Sequence, residues 1–98
     1  METNHLVLIE HFCSNHQIDL SFIDSLHEFG LIEVIIAENN KYLPHDQLSQ
    51  VERMIRFHYE LNINMEGIDV ITNLLKQIHY LQDELAAAKN RLQLYGDD

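Results

Sequence analysis

The chain has 98 residues, 46% of them hydrophobic and 22% charged, and six Lys+Arg against 16 Asp+Glu leave a net charge of −10. Such totals describe one folded domain and exclude a disordered tail. No apolar run approaches the roughly 20 residues of a membrane helix. The start METNHLVLIEHF lacks the basic n-region and cleavage site of a signal peptide, so a cytoplasmic protein is expected.

In chain order, HLVLI is a short apolar stretch that reads as extended. A first helix is expected from Ile9 to about His16, with Ile9, Phe12 and Cys13 facing inward at i, i+3, i+4. Cys13 is the only cysteine, which excludes an internal disulfide and predicts a buried structural thiol. Residues 15–18 make a turn, and Asp19 is the expected N-cap of a second helix, Leu20 to Phe29, ended by Gly30.

LIEVIIAENNKYL then changes period. Its β-branched Val34, Ile35 and Ile36, the turn-forming Asn39-Asn40 and the extended Lys41-Tyr42-Leu43 predict a small β-hairpin, a wing. Pro44 marks the entry to a third helix, His45 to Leu61, with Leu48, Val51, Ile55 and His58 along one stripe and Met54 beside it. Asn64 is positioned to cap a fourth helix from Met65 to Tyr95. That helix carries Ile71, Leu74, Ile78, Leu81, Leu85, Ala88, Leu92 and Tyr95 at alternating spacings of 3 and 4, the seam of a coiled coil. At about 46 Å, it is too long to bury this seam on a small head. A homodimer is the expected solution, with the monomer that folds its helix back as the alternative. The chain thus divides into a head, 1–63, and a dimerisation helix, 64–98, forming one structural unit.

Charge sharpens the functional reading. Residues 1–50 hold eight acids and one base, Lys41, for a net −7, and residues 51–98 hold eight acids and five bases, for −3. The second helix occupies the place of a DNA-reading helix, which normally carries Arg or Lys. It offers Asp19, Asp24 and Glu28 and no Lys or Arg. DNA affinity draws on cations neutralising phosphates, so a duplex would be repelled, whereas a basic protein partner would be steered in.

Three clusters have bland readings beside sharper ones. His5, His11, Cys13 and His16 suggest zinc, but a structural site needs about four converging ligands. His11 and Cys13, two residues apart, point to different sides of a helix, so neither metal nor cofactor is expected. Asp24 and Glu28 make a carboxylate pair, yet no nucleophile, glycine-rich loop or metal motif accompanies them, and no enzyme is expected. Their face is either solvated or a contact for a partner. Arg53 and Arg56 are the basic pair of the head. They touch phosphates in a DNA-binding reading and otherwise pair within the molecule, Arg56 with Glu52 or Glu60, or with the partner subunit of a dimer.

The order helix, turn, helix, GLIE, wing, helix, break and long helix resembles that of the MerR-type regulators. EHFCSNHQI, GLIE, VERMIRFHYELNIN, GIDVI and LQDELAAAKNRL resemble more closely the chaperone modulators of the CbpM type, over about residues 6 to 94. The resemblance implies a mainly α, MerR-like winged helix-turn-helix head with a coiled-coil dimerisation helix, paired antiparallel as in related regulators, each coil also touching the other head. It implies a modulator that binds the J-domain of a DnaJ/CbpA-type co-chaperone and restrains its action on a DnaK-type chaperone. J-domains present a basic helix, for which Asp19, Asp24 and Glu28 are the expected contacts, with Phe22 or Leu26 adding apolar area at the edge. The arginine-bearing helix of MerR activators is absent. The alternative function is a MerR-like transcriptional regulator that binds DNA as a homodimer.

Overall fold

The computed structural model describes residues 5–96, with side chains as far as Leu94. The described chain is mostly helical: β1 (Leu6–Leu8), α1 (Ile9–His16), α2 (Leu20–Glu28), β2 (Ile35–Ala37), β3 (Asn40–Pro44), a 3₁₀ turn (His45–Gln47), α3 (Leu48–Ile55), a π turn (Arg56–Glu60) and α4 (Met65–Gly96).

The first two helices end by the same device. Gln17 and Gly30 both take positive φ, 56° and 74°. Ile18 N–H then reaches Cys13 O at 3.0 Å and Leu31 N–H reaches Leu26 O at 2.9 Å. These are the 6→1 bonds that satisfy the last free carbonyls of a helix. At Gly30 nothing lies within 4 Å of where a Cβ would be, so its backbone angle alone favours glycine.

The wing forms as expected but turns one residue earlier than the sequence suggests. Glu38 and Asn39 have φ of 51° and 67°, the double positive φ of the two-residue turn that fits strand twist. Ala37 then pairs with Asn40. The hairpin is also one strand short of the whole sheet. β1 joins it antiparallel to β3, with Val7 opposite Leu43, and the order is β1-β3-β2. Leu43, on the central strand, is fully buried.

The third helix is not uniform. It enters through a 3₁₀ turn after Pro44 and leaves through a π turn, closed by Leu61 N–H on Arg56 O at 3.2 Å. Gln47 ties its start to the loop before the wing: its Nε2 donates to Glu33 O at 2.8 Å, and its Oε1 accepts from Glu33 N–H at 3.1 Å.

Ile9, Phe12 and Cys13 from α1, Ile23 and Leu26 from α2, Val51 and Met54 from α3 and Ile68 from α4 share one core with Phe22, Ile32 and Leu43. Burial pushes the Cys13 thiol above its usual range, and the charges of Asp24 and Asp19 add to the effect. It stays a thiol at neutral pH.

Asn64 caps α4 as expected, its Oδ1 accepting from Gly67 N–H at 2.8 Å. A Cβ at Gly67 would lie 2.6 Å from Ile63 Cγ2 and 3.2 Å from that cap oxygen. Gly→Ala inside a helix usually stabilises by about 1 kcal/mol. Here Gly67→Ala is expected to lower stability instead, by about 1 kcal/mol, because it displaces the cap. Thermal melts check the sign, and a raised melting temperature would show that Ile63 turns aside at no cost.

Candidate protein-binding surfaces

α2 presents two faces. Phe22, Ile23 and Leu26 are buried, while Asp24 and Glu28 are exposed. At about 100° per residue the two acids stand roughly opposite the buried set. Phe22 and Leu26, expected at the edge of a partner contact, are 5% and 0% exposed and belong to the core. They add no area to a docked helix, because the head cannot release them without unfolding. An exposed apolar residue beside the acids is Leu20, one turn before Asp24. Apolar spacing groups Leu20 with Ile23 and Leu26, and the structure corrects this: its i, i+4 relation to Asp24 puts it on the exposed side.

Asp19 sits at the N-cap position of α2, but its side chain makes no capping bond. Its backbone N–H instead donates to the Tyr59 hydroxyl at 3.3 Å. Tyr59 stands edge-on to Phe22, and His58 stacks on Phe22 with ring centroids 4.9 Å apart. His58 Nδ1 also donates to Ile63 O at 3.0 Å. The π turn thus holds the acidic helix at its start through two adjacent rings, a role that the apolar periodicity of the third helix did not reveal.

Among the described residues, Asp19, Asp24 and Glu28 form no ion pair, and neither do Arg53 and Arg56. The expected pairing of Arg56 with Glu52 or Glu60 is therefore corrected. Glu60 lies at the far end of the π turn from Arg56, where the regular α-helical spacing assumed for the pair does not hold. Glu52 is engaged elsewhere, its Oε2 lying 3.3 Å from His16 Nε2. His16 Nδ1 also contacts Phe12 O at 3.1 Å. Cys13 is buried while His11 is exposed, so these two do not converge on a metal. No group of three or more potential metal ligands occurs among the described residues.

The second surface is α4, 32 residues or about 48 Å long. It draws the molecule out to 60 × 37 × 21 Å. Ile71 and Ala88 are half-buried, whereas Leu74, Ile78, Leu81, Leu85 and Leu92 are exposed, Leu74 at 50%, Leu81 at 63% and Leu92 at 71%. Tyr95, the last seam position, lies beyond the described side chains. α4 does not fold back to cover this stripe. An apolar stripe of such length on a monomer marks an interaction surface. No helix among the described residues is long and apolar enough to cross a membrane.

A family model described as MerR HTH family regulatory protein matches residues 7–90. The match takes in the sheet, all three helices of the head and most of α4. No curated protein and no solved structure matches the chain.

Proposed function

The chain belongs to the MerR HTH family of regulatory proteins, and on that premise we propose that it is a non-enzymatic chaperone modulator of the CbpM type. In this reading it is a cytoplasmic homodimer, needs no cofactor, and inhibits a DnaJ/CbpA-type co-chaperone by binding its J-domain. The observation that carries the reading is the face of α2. Where a DNA reader presents cations, this helix presents Asp24 and Glu28, exposed and without an ion-pair partner among the described residues.

Two carboxylates one turn apart repel each other by a few tenths of a kcal/mol. A basic helix crossing them converts that repulsion into attraction. Leu20 supplies apolar area beside the charges, and the aromatic contacts of Phe22 with His58 and Tyr59 hold α2 rigid on the head. Exposed rim charges mainly raise association rate, while desolvated ones control dissociation.

Dimerisation follows from the α4 stripe. Glu84 and Arg91 flank it on one side and Lys89 on the other, so the flanks offer opposite charges for pairing across a dimer. An antiparallel arrangement, as the family resemblance implies, brings like flanks of the two helices together, so the acid and the base on the Glu84–Arg91 flank face the same flank of the partner.

Calorimetry of Asp24→Lys combined with Glu28→Lys against a J-domain tests the contact. Binding should weaken about tenfold or more, roughly 1.4 kcal/mol, with the circular dichroism spectrum and the dimer unchanged. A folded variant that binds as well as the parent moves the contact off α2. In a parallel mobility-shift assay the parent should show no operator binding at physiological salt. Sequence-selective binding with a steep dependence on log[salt] would instead establish a DNA-binding regulator.

A further inference from the structure

The chain places its few cations unevenly. α3 and the π turn meet the first half of α4 in a cleft of about 310 Å³ whose walls include Arg53, Lys76 and His79. Arg53 and Lys76 are two of only six Lys+Arg in a chain with 16 acids, and no described acidic residue lines this cleft. Its floor is apolar: Met54 is buried, and Leu31, Phe57 and Leu75 are half-buried, while the three basic side chains stand exposed at the rim.

We infer that this cleft binds a small amphipathic anion, a molecule with an apolar body and one carboxylate. The volume is that of a small-ligand site, which is mostly apolar with a few placed polar groups. The apolar body meets Leu31, Met54, Phe57 and Leu75, and the carboxylate meets Arg53 and Lys76. A guanidinium takes a carboxylate through two parallel N–H bonds, and an ammonium adds a point charge.

A second copy of the chain is the competing occupant, and the geometry of α4 separates the two. Thr72, Leu75, Lys76 and His79 line the cleft, whereas the seam runs through Leu74, Ile78 and Leu81. At about 100° per residue these two faces lie roughly 140° apart around α4. A partner helix seated on the seam leaves the cleft open. The ligand would touch α3 and α4 on either side of the break at residues 61–64, where Asn62 takes a positive φ of 57°. Its binding therefore ties the head to the long helix.

Calorimetry with sodium decanoate and with decanol as the uncharged control, on the full chain, tests the inference. Decanoate should bind saturably at millimolar concentrations or below, and decanol at least about tenfold more weakly. Arg53→Glu and Lys76→Glu should each weaken decanoate about tenfold while leaving helicity and sedimentation unchanged. Absence of saturable binding, equal binding of decanol, or charge variants that bind like the parent would each overturn it. A Lys76→Glu variant that loses its dimer, with a parent that ignores decanoate, would assign the cleft to a second copy instead.

Discussion

Replacing Ile78 and Leu81 together by glutamate should convert the protein from a dimer to a monomer or an aggregate in sedimentation. The two residues are adjacent seam positions in the middle of α4, and Ile78 and Leu81 are exposed within one protomer. In the proposed dimer their burial comes from the partner's helix. In a coiled coil each would insert among four residues of the partner, so glutamate there places four unpaired charges in one dimer core. Each uncompensated buried charge costs several kcal/mol, which exceeds what the neighbouring apolar layers return. Within the monomer the same substitutions lie on a solvent-facing stripe and should leave helicity nearly intact. A parent that sediments as a monomer, or a doubly substituted chain that remains dimeric, would show that this stripe is not the dimer seam.

Phe22→Ala should cost about 3–5 kcal/mol of folding stability, read as a large fall in the urea midpoint. Phe22 is nine-tenths or more buried in the core cluster and holds the His58 ring by stacking and the Tyr59 ring by its edge. Removing it opens a cavity and frees the π turn from α2 at once. Total stabilities of small domains are about 5–15 kcal/mol, so this one side chain carries a large share. The Asp24→Lys and Glu28→Lys pair, on the opposite face of the same helix, should leave the midpoint nearly unchanged. A loss below about 1 kcal/mol for Phe22→Ala would mean that the rings repack and that α2 is held by Ile23 and Leu26 alone.

The contrast between the two faces of α2 was half visible beforehand. Apolar spacing marks Leu20, Ile23 and Leu26 as one stripe, of which Leu20 proves exposed, and charge marks Asp24 and Glu28. Nothing local distinguished a stripe that faces the core of its own chain from one that edges a partner contact. That distinction depends on what packs above the helix, and His58 and Tyr59 arrive there from more than 30 positions away.

The features legible in the sequence are those that neighbours along the chain decide. The limits of α1, the stop at Gly30, the cap at Asn64 and the 3–4 spacing along α4 all rest on bonds or contacts within about one turn of helix. Tertiary structure decided the rest. β1 becomes a strand because β3, some 35 residues later, offers it a ladder. The third helix becomes a π turn at its end, where Phe22, Ile63 and the start of α2 constrain His58 and Tyr59. Arg53 and Lys76 line one cleft only because the break at residues 61–64 sets α4 against α3. Pairing of strands and facing of helices are contacts between distant positions, whose loop-closure entropy only the assembled core repays. No window of local periodicity contains that term.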